Sequence, residues 1–210
     1  TLKKYAEQYG WTLIDDNNRK SVFMDMIRQM DMSYSYKPVL MKAILLYADD
    51  KGRVKLDDIV AYFRSYYENR RASGLPVEKK NSIFAKGGYT DKEAERNILA
   101  NPFKRFEDMQ MLRHTRTLGI VQVDESVWKH LTKEERAEIA AICDEKLNGY
   151  FARLKWIEFL TMRMKEERCI IQSIPAIVYG DSSESLFLYI HGKMGRKEEA
   201  AHLVEIVCPE

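Results

Sequence analysis

The stretch YADDKGRVKLDDIVAYFRSYYENRR, Tyr47–Arg71, decides how the first half of the chain is expected to fold. Asp49–Gly52 is a turn signal, and Arg53–Lys55 leaves room only for a bridge or a brief strand. The next segment has acidic residues in its first turn, and Arg70 and Arg71 in its last. Both ends therefore complement a helix dipole. Helix, short strand and helix in this order begin winged-helix units, so we expect a winged-helix-like unit here.

A second composite stretch, NPFKRFEDMQMLRHTRTLGIVQVDESVW, spans Asn101–Trp128. Asn followed by Pro has the form of a helix start, with a cap and then proline at the first helical position. Apolar residues continue from there at helical spacing, which predicts a helix from Asn101 to about His114. The run Gly119–Val123 predicts a short strand, and a brief helix is expected around Ser126–Leu131.

The rest of the chain predicts a mainly α protein with a small α/β C-terminal lobe. Thr90 with Glu93, and Thr132 with Glu135, have capping-box spacing. Apolar residues then recur every three or four positions to about residue 168. This predicts one long helix, or two helices broken at 148–149. Strand-like runs on both sides of residues 180–183 predict a hairpin. The expected organisation is a helical, winged-helix-like domain at 1–132, a connecting helix at 133–168 and an α/β lobe at 169–210.

Composition indicates a folded, soluble protein, since 45% of the 210 residues are hydrophobic and 31% are charged. No apolar run reaches the roughly 18 residues of a spanning helix, and the N-terminus lacks a signal-peptide pattern. Cys143, Cys169 and Cys208 are most simply reduced thiols. We therefore expect a cytoplasmic location and no membrane partner. Because the sequence begins at Thr1, we also expect a piece of a longer protein.

Positive charge is concentrated in the middle of the chain. The net charge is only +2, but Arg64–Arg116 holds twelve Lys and Arg against seven Asp and Glu. Such a local excess suggests contact with a polyanion. The candidate nucleic-acid-binding residues are Arg70, Arg71, Lys104, Arg105, Arg113, His114 and Arg116.

The same residues also have an interpretation that needs no ligand. Lys104 has the spacing of a salt pair with Asp108, and the stems of Arg105 and Arg113 can cover apolar surface. Arg70 and Arg71 complement their own helix end.

The familiar catalytic motifs are absent from the sequence. It contains no phosphate-binding loop, no dinucleotide fingerprint, no nucleophile elbow and no zinc-protease motif. The four histidines lack metal-ligand spacing. One catalytic alternative is a partial match to a Mg²⁺-dependent nuclease lobe formed by Asp181, His191 and Lys193, in which histidine is a poor ligand for a hard cation.

The segments Met30–Arg71 and Asn101–Leu131 together resemble a region near the C-terminus of bacterial superfamily II (DEAD/DEAH-box) helicases, over residues 30–154. Many such helicases are long proteins linked to DNA metabolism or phage defence. The resemblance implies an ATPase motor upstream in the same polypeptide. ATP and Mg²⁺ would belong to that motor, and we expect no cofactor in this chain.

The leading hypothesis is therefore a non-catalytic accessory region of a helicase-like protein that contacts DNA or RNA. The alternatives are a protein-interaction module that docks a partner or the parent motor, and the Mg²⁺-dependent nuclease.

Overall fold

The computed structural model of the protein describes residues 2–10, 13–163, 166–171 and 174–179. The chain separates into two compact units, Thr1–Tyr150 and Phe151–Glu210. The predicted hairpin turn at 180–183 and everything after it lie outside the described residues.

The described part of the chain is mainly helical, as the sequence predicts. The helices are α1 Leu2–Tyr9, α2 Arg19–Arg28, α3 Tyr36–Tyr47, α4 Leu56–Ala72, α5 Ile83–Lys86, α6 Asp91–Ile98, α7 Lys104–Asp108, α8 Glu125–Trp128 and α9 Lys133–Arg163. The strands are β1 Arg53–Lys55, β2 Leu112–Thr115, β3 Ile120–Val123, β4 Glu166–Ile171 and β5 Ile174–Tyr179.

Strands β1, β2 and β3 form one antiparallel sheet in the order β1-β3-β2. β2 and β3 make a hairpin, with Leu112 opposite Val123 and Thr115 opposite Ile120. β1 comes from between α3 and α4 and pairs with the other edge of β3. The predicted brief strand Arg53–Lys55 is thus confirmed, and its partner is a strand far away in sequence.

Local sequence signals explain where the helices begin. The side chains and backbone of Thr90 and Glu93 bond each other reciprocally, which caps α6. Thr132 and Glu135 do the same before α9, with distances of 2.9 and 3.1 Å. Helix α9 continues through Asn148 without a break, so of the two sequence alternatives the single long helix is correct. Its predicted end near residue 168 is wrong, because Glu166–Arg168 belong to strand β4.

The core of the first unit lies between α3 and α4, with α9 contributing further buried side chains. Val39, Leu40, Ile59 and Phe63 are each inaccessible to solvent. Burying an apolar side chain of this size stabilises the fold by about 1.5–3 kcal/mol. α9 adds a buried row at helical spacing, formed by Ile139, Cys143, Leu147 and Tyr150.

The prediction of a helix from Asn101 to His114 is wrong in two respects. Residues Leu99–Phe103 form a π-helical turn that joins α6 directly to α7, so Pro102 lies inside a continuous helical segment instead of starting a new one. α7 then ends at Asp108. Gln110 adopts a left-handed conformation with φ 56°, and His114 belongs to strand β2. Proline has no N–H to donate to the helical hydrogen bonds, and the wide π turn accommodates this missing bond.

The loop at 73–89 is held by a buried carboxylate. Glu78 is 4% exposed, and its Oε2 accepts bonds from Ser35 N at 2.9 Å and from Ser35 Oγ at 2.5 Å. Its Oε1 accepts from Lys79 N at 2.8 Å and from the Tyr150 hydroxyl. Burial, and after it the Glu78 charge, raises the pKa of Tyr150, which keeps that hydroxyl protonated as a donor. Four donors satisfy the carboxylate in place of a cation.

The described residues of the second unit form a hairpin that the sequence analysis does not predict. β4 and β5 pair antiparallel from Glu166 opposite Tyr179 to Ile171 opposite Ile174. The run after Cys169, predicted as one strand, therefore supplies part of β4 and the whole of β5.

Candidate nucleic-acid interface

One face of the three-stranded sheet is open to solvent and carries basic side chains. Arg53, Gln122 and Arg113 lie opposite one another across the three strands, and Lys55, Ile120 and Thr115 form the next row. Arg53, Lys55 and Arg113 are all exposed. Directly paired residues share a face of a sheet, so these three cations point to the same side.

The opposite face of the sheet packs on the core. Val54, Val121 and Val123 are each at most 2% exposed. His114 pairs with Val121 and so lies on this inner face, with its ring centroid 6.1 Å from that of Phe103. Its Nε2 is buried and has no hydrogen-bond partner within the described residues. His114 therefore lies on the opposite face from its neighbour Arg113, although both were candidates for the same contact.

The turn of the β2–β3 hairpin is fixed by backbone geometry. Residues Arg116–Leu118 form a short 3-10 turn, and Gly119 follows in the left-handed region with φ 59°. Glycine adopts this conformation without the steric cost that other residues incur. The Gly119 carbonyl accepts a 2.8 Å bond from Leu56 N, which ties the turn to the start of α4. Arg116 is exposed at the turn.

Three of the predicted contact residues have partners inside the protein. Arg70 Nε donates to the Pro76 carbonyl at 2.7 Å, and an Nη of Arg71 donates to the Phe84 carbonyl at 2.5 Å. Lys104 bridges two carboxylates, at 2.6 Å from Asp108 and 3.4 Å from Glu107. The predicted Lys104–Asp108 salt pair is confirmed. Arg70 and Arg71 anchor the 73–89 loop, and their helix-end interpretation is only part of their role.

The other three cations of the predicted set form no ion pair among the described residues: Arg105, Arg113 and Arg116. Arg105 contributes a small part of the lowered pKa of Asp31, which a hydrogen bond from Lys37 lowers most. Lys55 likewise lacks an ion pair within this part of the chain, whereas Arg53 is bound to Asp49 at 2.8 Å. The uncompensated positive charge of the sheet face is therefore carried by Lys55, Arg113 and Arg116.

The far end of the sheet, away from the hairpin turn, is acidic. A cleft of about 590 Å³ lies there, and it is lined by Arg113 and Gln122 together with Asp16, Arg19, Glu107, Gln110, Leu112, Val123, Asp124, Glu125 and Ser126. Its four carboxylates outnumber its two arginines, and Arg19 is 3.6 Å from Asp124. A four-residue strand spans roughly 10 Å, which separates the acidic end from the turn. Lys55 and Arg116 therefore lie at the turn end of the sheet, whereas Arg113 lies next to the acidic cleft.

Sequence reasoning missed Lys55 because the pairing that brings β1 beside the hairpin is not local. The alternation Arg53-Val54-Lys55 was the available signal, since it places both cations on one face of any strand. Tyr36 and Tyr67 are buried, and Tyr67 stacks on Phe84 with centroids 4.6 Å apart. These two rings are core residues.

The nuclease alternative falls outside the described residues, as Asp181, His191 and Lys193 all do. Within the described ranges, no group of three His, Cys, Asp or Glu side chains is arranged to hold a metal ion. The same ranges contain no helix with the length and apolar character to cross a membrane.

Comparisons with protein-family models, with curated proteins and with solved structures gave no match.

Proposed function

We propose that this chain is a non-catalytic accessory region that contacts DNA or RNA through the open face of its three-stranded sheet and the adjoining hairpin turn. The observation that carries the proposal is the set Lys55, Arg113 and Arg116, three cations that form no ion pair with any described residue and lie on one exposed face and its hairpin turn. Backbone phosphates supply most of the affinity for such a surface, because each neutralised phosphate releases a counterion.

The connectivity supports the interpretation of this region as winged-helix-like. α3, β1, α4, the helical segment α5–α7 and the β2–β3 hairpin follow one another along the chain, with the sheet order β1-β3-β2. In this interpretation the hairpin is the wing. The resemblance of residues 30–154 to bacterial superfamily II helicases suggests a parent protein that acts on nucleic acid in the cytoplasm, with its ATPase motor upstream.

Charge reversal on the sheet tests the proposal. The double variant Arg113→Glu/Arg116→Glu is compared with the unaltered chain by fluorescence anisotropy on a short labelled duplex at low salt. The control is Lys80→Glu/Lys92→Glu, which changes the net charge equally at two exposed lysines off the sheet. We expect weakened binding in the first variant alone. Equal binding by both variants would show that the sheet is not part of the interface.

A second candidate is a protein-interaction module, and the mixed-charge cleft at the other end of the sheet favours it. Acidic and basic side chains beside Gln110, Gln122 and Ser126 suit a polar polypeptide segment of a partner or of the parent motor. Failure of the unaltered chain to bind any duplex at low salt would reject the nucleic-acid proposal and leave this one.

A further inference from the structure

Leu118, in the turn of the β2–β3 hairpin, is the most exposed large apolar side chain of the described residues, at 69%. A single exposed leucine is ordinary on a protein surface and needs no explanation by itself. Its surroundings are what is informative. Leu118 follows Arg116 and Thr117, which are also exposed, at the end of the sheet where Lys55 pairs with Ile120.

The turn presents Leu118 on a fixed support. Four residue pairs hold β2 to β3, Gly119 N donates to the Arg116 carbonyl at 3.3 Å, and Leu56 N binds the Gly119 carbonyl. The backbone beneath the side chain is thus bonded both within the turn and to α4. Because this backbone is already ordered, only the side-chain rotamers of Leu118 have to be fixed when it enters a partner.

We propose that Leu118 is a wedge that enters between neighbouring base pairs of a DNA duplex while Arg116 and Lys55 neutralise phosphates beside it. This inference rests on the proposed nucleic-acid function and names its substrate class, a duplex with a weakened base step. Proteins that insert apolar side chains between bases unstack one step and kink the duplex. Unstacking costs a few kcal/mol and least at a mismatch. The wedge therefore favours mismatched over fully paired DNA.

The test uses two duplexes of equal length, one fully paired and one with a single mismatch beside 2-aminopurine, a base analogue that brightens when it is unstacked. For the unaltered chain we expect about tenfold tighter binding to the mismatched duplex, which corresponds to about 1.4 kcal/mol, and brighter emission at saturation. In Leu118→Ala the two affinities converge and the emission stays near that of free DNA. Leu46→Ala, at a 63% exposed leucine on α3, is the control and keeps both properties.

The outcomes separate the wedge from the function on which it rests. If Leu118→Ala keeps both the mismatch preference and the emission change, the wedge is rejected while duplex binding stands. If the unaltered chain binds both duplexes equally without brightening, the wedge is likewise rejected. If it binds neither duplex at low salt, the nucleic-acid function fails and the wedge fails with it.

Discussion

Replacing Arg113 and Arg116 with glutamine should flatten the salt dependence of duplex binding. Three cations form no ion pair among the described residues: Lys55 and Arg116 at the turn end of the sheet, and Arg113 on its open face. Log Kd changes by about 0.9 for each phosphate neutralised per tenfold change in salt. Three contacts give a slope of about 2.7, so raising salt from about 50 to about 200 mM weakens binding about 40-fold. In the double variant only Lys55 remains, and the same change weakens binding about 3.5-fold.

The assay is a series of anisotropy titrations across that salt range, with the slope rather than a single Kd as the readout. Lys104→Gln is the matched control, because its ammonium is already bridged by Glu107 and Asp108 and should contribute no phosphate contact. The reasoning is refuted if the double variant keeps the slope of the unaltered chain, or if Lys104→Gln lowers the slope as much.

Three further predictions concern stability, each measured by urea denaturation. Gly52→Ala brings a new Cβ within 2.7 Å of Trp128 at φ +72°, so it should cost about 2–4 kcal/mol. Gly74 has φ +66° and open space around it, so Gly74→Ala should lower the free energy of unfolding by only about 1 kcal/mol. Equal losses of stability in Gly52→Ala and Gly74→Ala would contradict the proposed clash with Trp128. Glu78→Ala leaves buried donors unsatisfied and should cost at least about 2 kcal/mol, whereas a neutral effect would refute this account. Hydrogen bonds from the cap lower the pKa of Glu93 below its ordinary 4.5. The stabilising contribution of the Glu93 carboxylate is therefore complete above that pH and is lost as acid protonates it in the folded protein. The stability deficit of Glu93→Gln should therefore shrink as the pH falls below 4.5.

The elements that local chemistry specifies were predictable from the sequence. The acids and arginines at the two ends of α4, and the Thr-Glu pairs before α6 and α9, act within one turn of the chain. The prediction of a helix to His114 failed because the residue that ends the helix is not a usual stop signal. Gln110 occupies the left-handed position after α7, where glycine is the usual marker. Pairing with β3, which helical spacing cannot reveal, then makes Leu112–Thr115 a strand.

The candidate site was predictable only in part, for a related reason. Arg113 and Arg116 could be selected from local charge. Some cations have partners inside the protein that sequence order does not show. Arg70 and Arg71, for example, donate to backbone carbonyls. Lys55 joins the site solely through the β1–β3 register.

The carboxylate of Glu78 also determines where the chain can be truncated without destabilising the fold. It accepts hydrogen bonds from Ser35, 43 residues earlier in the sequence, and from Tyr150, 72 residues later. A fragment that stops at residue 132 would leave the buried Glu78 carboxylate without its hydrogen bond from the Tyr150 hydroxyl. It would also strip away the row of side chains from Ile139 to Leu147 that covers the core. Expression of an autonomous N-terminal piece should therefore extend at least through Tyr150.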